Sequence, residues 1–123
     1  MNVYEYRAAL YCEPCADKVK RRIAPKFGFR RLKSSGVPNP PWLTSHHWPQ
    51  GPYPGGGGEA DTPQHCDSCS VFLENSLTRH GHSYVEREVA FAVGFNVPAE
   101  NDPEVLAWTA TTRQWSSFYG IAN

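Results

Sequence analysis

A small, helix-rich α+β domain with a long loop set into it is the fold class this chain predicts, and three observations predict it. Four cysteines fall in two Cys-x-x-Cys pairs, Cys12-Glu13-Pro14-Cys15 and Cys66-Asp67-Ser68-Cys69, with no fifth cysteine. The stretch from Gly36 to Pro63 holds seven of the 11 prolines and six of the ten glycines. The rest of the chain carries the apolar spacing of short amphipathic helices, most clearly towards its end. At 123 residues the expectation is one domain, 1–123, with 36–63 as an insert between the two cysteine pairs.

The elements follow in order. Val3 to Tyr11 is aromatic and partly alternating, which predicts a strand or extended arm leading into the first cysteine pair. Ala16 to Ala24 predicts a short helix with Val19 and Ile23 on its apolar face, stopped by Pro25. Lys26 to Lys33 predicts an extended segment with Phe27 and Phe29 on one side. The Pro/Gly density of Gly36 to Pro63 argues against any regular element there, although Trp42 and Trp48 suggest that the loop either packs on the core or offers a contact surface. Phe72, Leu73 and Leu77 suit one or two helical turns after the second pair. Arg79 to His82 reads as a polar turn, and Ser83 with Glu86 as the capping box of the next helix. That helix would bury Tyr84, Val85, Val89, Ala92 and Val93, although the alternation Val89, Phe91, Val93, Phe95 equally suits a strand; Gly94 and Pro98 end it. The last helix is the clearest. Asp102 is its N-cap, Pro103 its first residue and Gly120 its stop, with three threonines weakening the middle.

Two residues between cysteines let both sulfurs of a pair point at one ion from a single tight turn. Two such pairs complete a four-sulfur tetrahedron, the closed geometry of a structural zinc ion. Cys12, Cys15, Cys66 and Cys69 are therefore expected to hold one structural Zn²⁺, and because metal binding is folding free energy, the ion would compensate for a small core. The second pair precedes a helical pattern, so a knuckle followed by a helix-start pair is expected, closer to a treble clef than to a two-hairpin ribbon. His65 abuts Cys66 as a supporting donor or alternative ligand. The rival chemistry is thiol–disulfide exchange, since Pro14 stands where thioredoxin-like motifs place a proline. The remaining chain, however, supplies no thioredoxin sheet. His80-x-His82, His46-His47 and Glu59-x-Asp61 match no hydrolytic metal spacing, and Gly55 to Gly58 is not a phosphate loop.

A net charge of zero conceals a polarity. Eight of the 12 basic residues lie between Lys18 and Lys33 with no acid among them, whereas Glu59 to Glu104 holds nine acids against Arg79 and Arg87. Lys20, Arg21, Arg22, Arg30 and Arg31, supported by Trp42 and Trp48, form the expected partner-binding surface, for nucleic acid or an acidic protein surface. The opening residues suggest no signal peptide, and no apolar run approaches a membrane span, so a cytoplasmic location is expected, where paired cysteines favour metal over disulfides.

The segment Gly56 to Thr78, with Tyr84-Val85-x-Arg87-Glu88 and Trp115-x-x-Phe118-Tyr119-Gly120, resembles a group of small uncharacterised proteins of bacteria and their phages. The likeness covers mainly residues 50 to 120 plus the N-terminal cysteine pair. It implies metal binding at the four cysteines and no activity. Ser76 replaces an expected proline, and the basic residues near Arg22 to Arg31 are additional. The expected function is interaction rather than catalysis: a zinc-stabilised module binding nucleic acid or a nucleic-acid-handling complex. The alternatives are a phage-encoded inhibitor docking on a host defence complex and a Cys-x-x-Cys redox protein.

Overall fold

The computed structural model describes residues 1–27, 43–94 and 103–121. Among the described residues the chain is a small α+β protein with a three-stranded antiparallel sheet and three α-helices, and it forms two compact units. The first comprises Met1–Gly58 and Gln64–Ser76; the second comprises Glu59–Pro63 and Leu77–Asn123.

In the first unit, the N-terminal arm is a hairpin. Strand β1 (Val3–Tyr6) pairs with β2 (Ala9–Cys12), with Val3 opposite Cys12 and Tyr6 opposite Ala9. Arg7 and Ala8 make the connecting turn with φ of 49° and 62°. Left-handed backbone at both positions matches the twist of the flanking strands. The hairpin runs without a break into α1 (Glu13–Ile23), whose first turn holds Pro14 and Cys15. Cys15, Ala16, Val19, Lys20 and Ile23 are buried, the spacing of a single helical stripe. Lys20, Arg21 and Arg22 fall in the last turn, where cations complement the helix dipole. A short 3-10 turn, Ala24–Phe27, follows and takes in Pro25. The extended reading of Lys26 and Phe27 is thereby corrected, since they continue the helical winding; Phe29 lies outside the described residues.

The Pro/Gly-rich stretch does contain a regular element. Strand β3 (Gln50–Tyr53) pairs antiparallel with β1, giving the order β2-β1-β3. Pro52 is tolerated because β3 is an edge, where a missing N–H costs no ladder bond. Leu43 and Trp48 enter the core with Tyr6, Val19, Ile23 and Ala24, so Leu43 to Gly58 is built into this unit. Gly56 is buried with φ of 68°, and an added Cβ would stand 2.4 Å from the Leu73 carbonyl oxygen and 2.6 Å from the Asn75 nitrogen. Only glycine fits there.

Ser70 to Thr78 is not helical. His65 bridges to Phe72, the Leu73 N–H donates to the Gln64 carbonyl at 2.9 Å, and Ser70 and Glu74 adopt φ of 66° and 57°. Pairing with the preceding segment overrides the helical spacing of Phe72, Leu73 and Leu77. Asn75 is fully buried and fastens the return: its Oδ1 accepts the Gln64 N–H at 2.7 Å, and its Nδ2 donates to the Ser76 carbonyl.

In the second unit, α2 (Arg79–Gly94) begins four residues before the expected Ser83 cap. Thr78 is the cap, with its Oγ1 accepting the Gly81 N–H at 3.1 Å while its own hydroxyl donates to the Asp61 carboxylate. Gly81 allows the first turn to close on the strap at Ala60, whose carbonyl oxygen would lie 2.9 Å from an added Cβ. Loss of the cap in Thr78→Ala is expected to cost about 1 kcal/mol, read as a lower urea midpoint at unchanged m-value.

Helix α3 (Pro103–Tyr119) starts at the expected proline and stops at Gly120, whose φ is 67°; the Ile121 N–H closes back on the Ser116 carbonyl at 3.0 Å. The expected cap, Asp102, lies outside the described residues, as do Phe95 and Pro98. The threonines spend their hydroxyls inside the helix, Thr109 on Val105 and Thr111 on Ala107. The two helices run antiparallel: His82 meets Tyr119, Tyr84 meets Trp115, and Phe91 meets Trp108, whose Nε1 donates to Glu88 at 3.1 Å. Val85 and Val89 of α2 and Trp115 of α3 are buried.

Candidate metal centre

The two cysteine pairs arrive at one point by different local structures. In the first, Cys12 ends β2 and is the residue before α1, while Cys15 sits in the first helical turn. The second pair lies on a tight turn with no helix after it. The Cys66 N–H donates to the Val71 carbonyl and the Ser70 N–H to the Cys66 carbonyl, both at 2.9 Å. The Asp67 N–H donates to the Leu10 carbonyl at 2.9 Å and ties this knuckle to the hairpin. The expected order is thus inverted, with the helix-start pair first in the chain and the bare knuckle second. The reason is local. Strand β2 leads straight into Glu13-Pro14, a sequence suited to a helix start, whereas the segment after Cys69 is held extended by its bridge to His65.

One ligand atom from each of Cys12, Cys15, Cys66 and Cys69 lies within 4.8 Å of all the others. The sulfurs of Cys12 and Cys69, from opposite pairs, are 3.6 Å apart. A zinc–sulfur bond of about 2.3 Å gives a tetrahedron whose edges are about 3.8 Å, so the set has the dimensions of a four-thiolate shell. All four are free thiols rather than disulfides. Cys12, Cys15 and Cys66 are buried and pack with Val3 and Leu73, which keeps water from three sides of the cluster.

Electrostatics divides the sulfurs. Burial raises the Cys12 thiol to about 12 and pushes Cys15 up as well. Burial acts on Cys66 in the same sense, yet the backbone N–H groups of Cys69, Cys12 and Ser68 outweigh it and bring the thiol down to about 6. N–H groups directed at sulfur stabilise a thiolate, the form that binds metal. A divalent ion would supply for Cys12 and Cys15 what the backbone supplies for Cys66. His65 stands apart from the sulfur set: its Nδ1 donates to the Ser70 carbonyl at 2.8 Å and its ring rests on Phe72, so it braces the knuckle.

The expected partner-binding residues fare unequally. Arg21 and Arg22 are exposed on α1, as is Lys18 one turn earlier. Lys20 is only 7 % exposed; its Nζ lies 4.3 Å from the centre of the Tyr4 ring. Burial draws its ammonium below the ordinary lysine value, with Asp17 and Glu13 pulling the other way. Its stem covers apolar surface and its charge is spent internally. Trp48 is 0 % exposed and meets Phe27 edge-on at 6.1 Å, so it presents nothing to a partner. Arg30, Arg31 and Trp42 lie outside the described residues. Beside the cluster runs a groove of about 480 Å³, lined among others by Met1, Pro14, Lys18, Cys69 and Val71. The sequence pattern gave no hint of it beyond the polar run Asp67-Ser68-Cys69-Ser70, which marks the knuckle tip as the wet side.

No helix among the described residues is long and apolar enough to cross a membrane. Comparison with protein-family models, with curated proteins and with solved structures returned no match to the chain.

Proposed function

We propose that the chain is a zinc-stabilised interaction module that binds nucleic acid, or a protein of a nucleic-acid-handling complex, through the outer face of α1. The observation that carries this reading is the four-sulfur cluster: it anchors the N-terminus of α1 and so sets the direction of the helix whose exposed side carries Lys18, Arg21 and Arg22. The arrangement is treble-clef-like with the two halves exchanged in chain order. The ion would supply a fixed point and no chemistry, since four protein sulfurs leave no open coordination position. If the chain is phage-encoded, a module of this kind would dock on a host complex. Local geometry favours one second reading. Strand, Cys-Glu-Pro-Cys, helix is also the opening of a thioredoxin-like motif, although an antiparallel sheet of order β2-β1-β3 is not the sheet such enzymes use.

The test reverses charge where the side chains are free in water. Arg21→Glu with Arg22→Glu should leave the thermal midpoint within about 2 °C, because exposed positions away from special features cost little. Binding to a fluorescent mixed-sequence oligonucleotide should weaken for every sequence tried. The slope of log affinity against log salt should fall by roughly 1.5–2, the share of two lost phosphate contacts. Unchanged binding and slope would remove α1 from the interface. A protein partner would instead leave the oligonucleotide unbound by the parent chain.

A further inference from the structure

We propose that Cys69 is the oxidation-sensitive ligand of the cluster, and that a peroxide-class oxidant exchanges the metal for a Cys12–Cys69 disulfide. The inference rests on the zinc reading above and concerns how that site is regulated. Two independent features carry it. Cys12, Cys15 and Cys69 all line the groove of about 480 Å³ beside Met1, Pro14 and Val71, but Cys69 is exposed while the other three cysteines are buried, so it is the sulfur a small oxidant meets first. The Cys12 sulfur, at the edge of the same groove, stands 3.6 Å from the Cys69 sulfur across 57 positions of sequence.

The chemistry balances with hydrogen peroxide as the oxidant. The Cys69 thiolate attacks one peroxide oxygen, the O–O bond breaks, hydroxide leaves, and the sulfur becomes a sulfenic acid. The Cys12 thiolate then attacks the Cys69 sulfur. An S–S bond forms, the S–O bond breaks, and a second hydroxide leaves. Two electrons pass from the two sulfurs to peroxide, and two protons from solvent turn the hydroxides into water. Two of the four ligands are thereby withdrawn, and the ion, left with only Cys15 and Cys66, departs into solvent. The new bond joins the same two segments that the metal joined, so the knuckle stays attached to the hairpin after the ion has gone. Oxidation within one pair would leave them without a covalent link, joined only by backbone contacts such as Asp67 N–H to the Leu10 carbonyl.

Zinc-loaded protein, its metal content measured beforehand, is titrated with hydrogen peroxide below one equivalent. Zinc release is followed with a chromogenic chelator, sulfenic acid is trapped with dimedone, and disulfides are mapped by non-reducing peptide mass spectrometry. The expected result is one zinc released per disulfide, a Cys12–Cys69 bridge as the main product, and dimedone on Cys69 in about tenfold excess over the other cysteines. Dithiothreitol with added zinc should reverse the change. The oxidised, metal-free protein should keep a cooperative thermal transition that the chelator-stripped, reduced protein lacks. A main product bridging Cys66 to Cys69 or Cys12 to Cys15, or dimedone chiefly on a buried cysteine, overturns the proposal while leaving the metal reading intact. Protein isolated under reducing conditions without any zinc removes the metal reading, and the proposal falls with it. All of these readouts use the unaltered chain, so a Cys69→Ser variant that failed to fold would not affect them.

Discussion

Stripping the metal, or replacing Cys15 with serine, will unfold the first unit at room temperature. Structural zinc in small domains contributes about 10–16 kcal/mol of apparent binding free energy, and a native domain is stable by only about 5–15 kcal/mol in total. The local packing gives no reserve. Around the sulfurs the buried side chains are Val3, Leu73 and the cysteines themselves, with Leu10 and Tyr11 half-covering them. Remove the ion and the three buried sulfurs of Cys12, Cys15 and Cys66 are left in an apolar pocket holding little else. Hydrogen exchange read by mass spectrometry will show the change: peptides from residues 1–27 and 43–76 should lose protection after treatment with a strong chelator. Peptides from α2 and α3 contain no ligand and should change less. A chelator-treated protein whose thermal midpoint stays within about 2 °C of the untreated one would exclude a structural ion.

Trp48→Ala should be the most damaging single change away from the sulfurs. Emptying a fully buried tryptophan site costs about 3–5 kcal/mol, the sum of lost transfer energy and the cavity left behind. Here the site is shared by Tyr6, Val19, Ile23, Ala24 and Leu43, on both sides of the hairpin–helix junction, so no single neighbour can move to fill it. Urea denaturation should show a midpoint lower by more than 1 M if the m-value is about 2 kcal/mol/M. Trp48→Phe should recover part of the loss. The same measurement separates the two roles a loop tryptophan can take, because an anchor for a partner would leave stability untouched and weaken only binding.

The cysteine set was legible because its spacing is a chemical constraint that needs no knowledge of the fold. The bounds of α3 at Pro103 and Gly120 were legible for a similar reason, since a missing N–H and a left-handed φ are properties of single residues. What stayed hidden depended on distant partners. Nothing near Gln50 to Tyr53 announces a strand; the segment is one because β1 lies alongside. Phe72, Leu73 and Leu77 carry helical spacing, yet His65, Gln64 and Ala60, respectively, claim their backbone. Lys20 counted as surface charge in the one-dimensional reading, and only the hairpin folded against α1 places Tyr4 beneath its ammonium. The inverted order of the cysteine pairs has the same origin, because whether a pair opens a helix is settled by the residues on either side of it.

That inversion has a consequence for how the protein is made. The first half of the site is local, since hairpin, cysteine pair and helix are contiguous over the first 23 residues. The second half lies fifty residues further along the chain. As the polypeptide leaves the ribosome, Cys12 and Cys15 emerge on a segment that can already fold on itself, well before Cys66 exists. Synthesis of the intervening segment at about 5–20 residues per second takes seconds, far longer than a hairpin or a helix turn needs to form. A two-sulfur vestibule therefore precedes the finished cage, and an ion bound there would act as a late latch that stops the nascent chain from reopening once the distant knuckle has swung in.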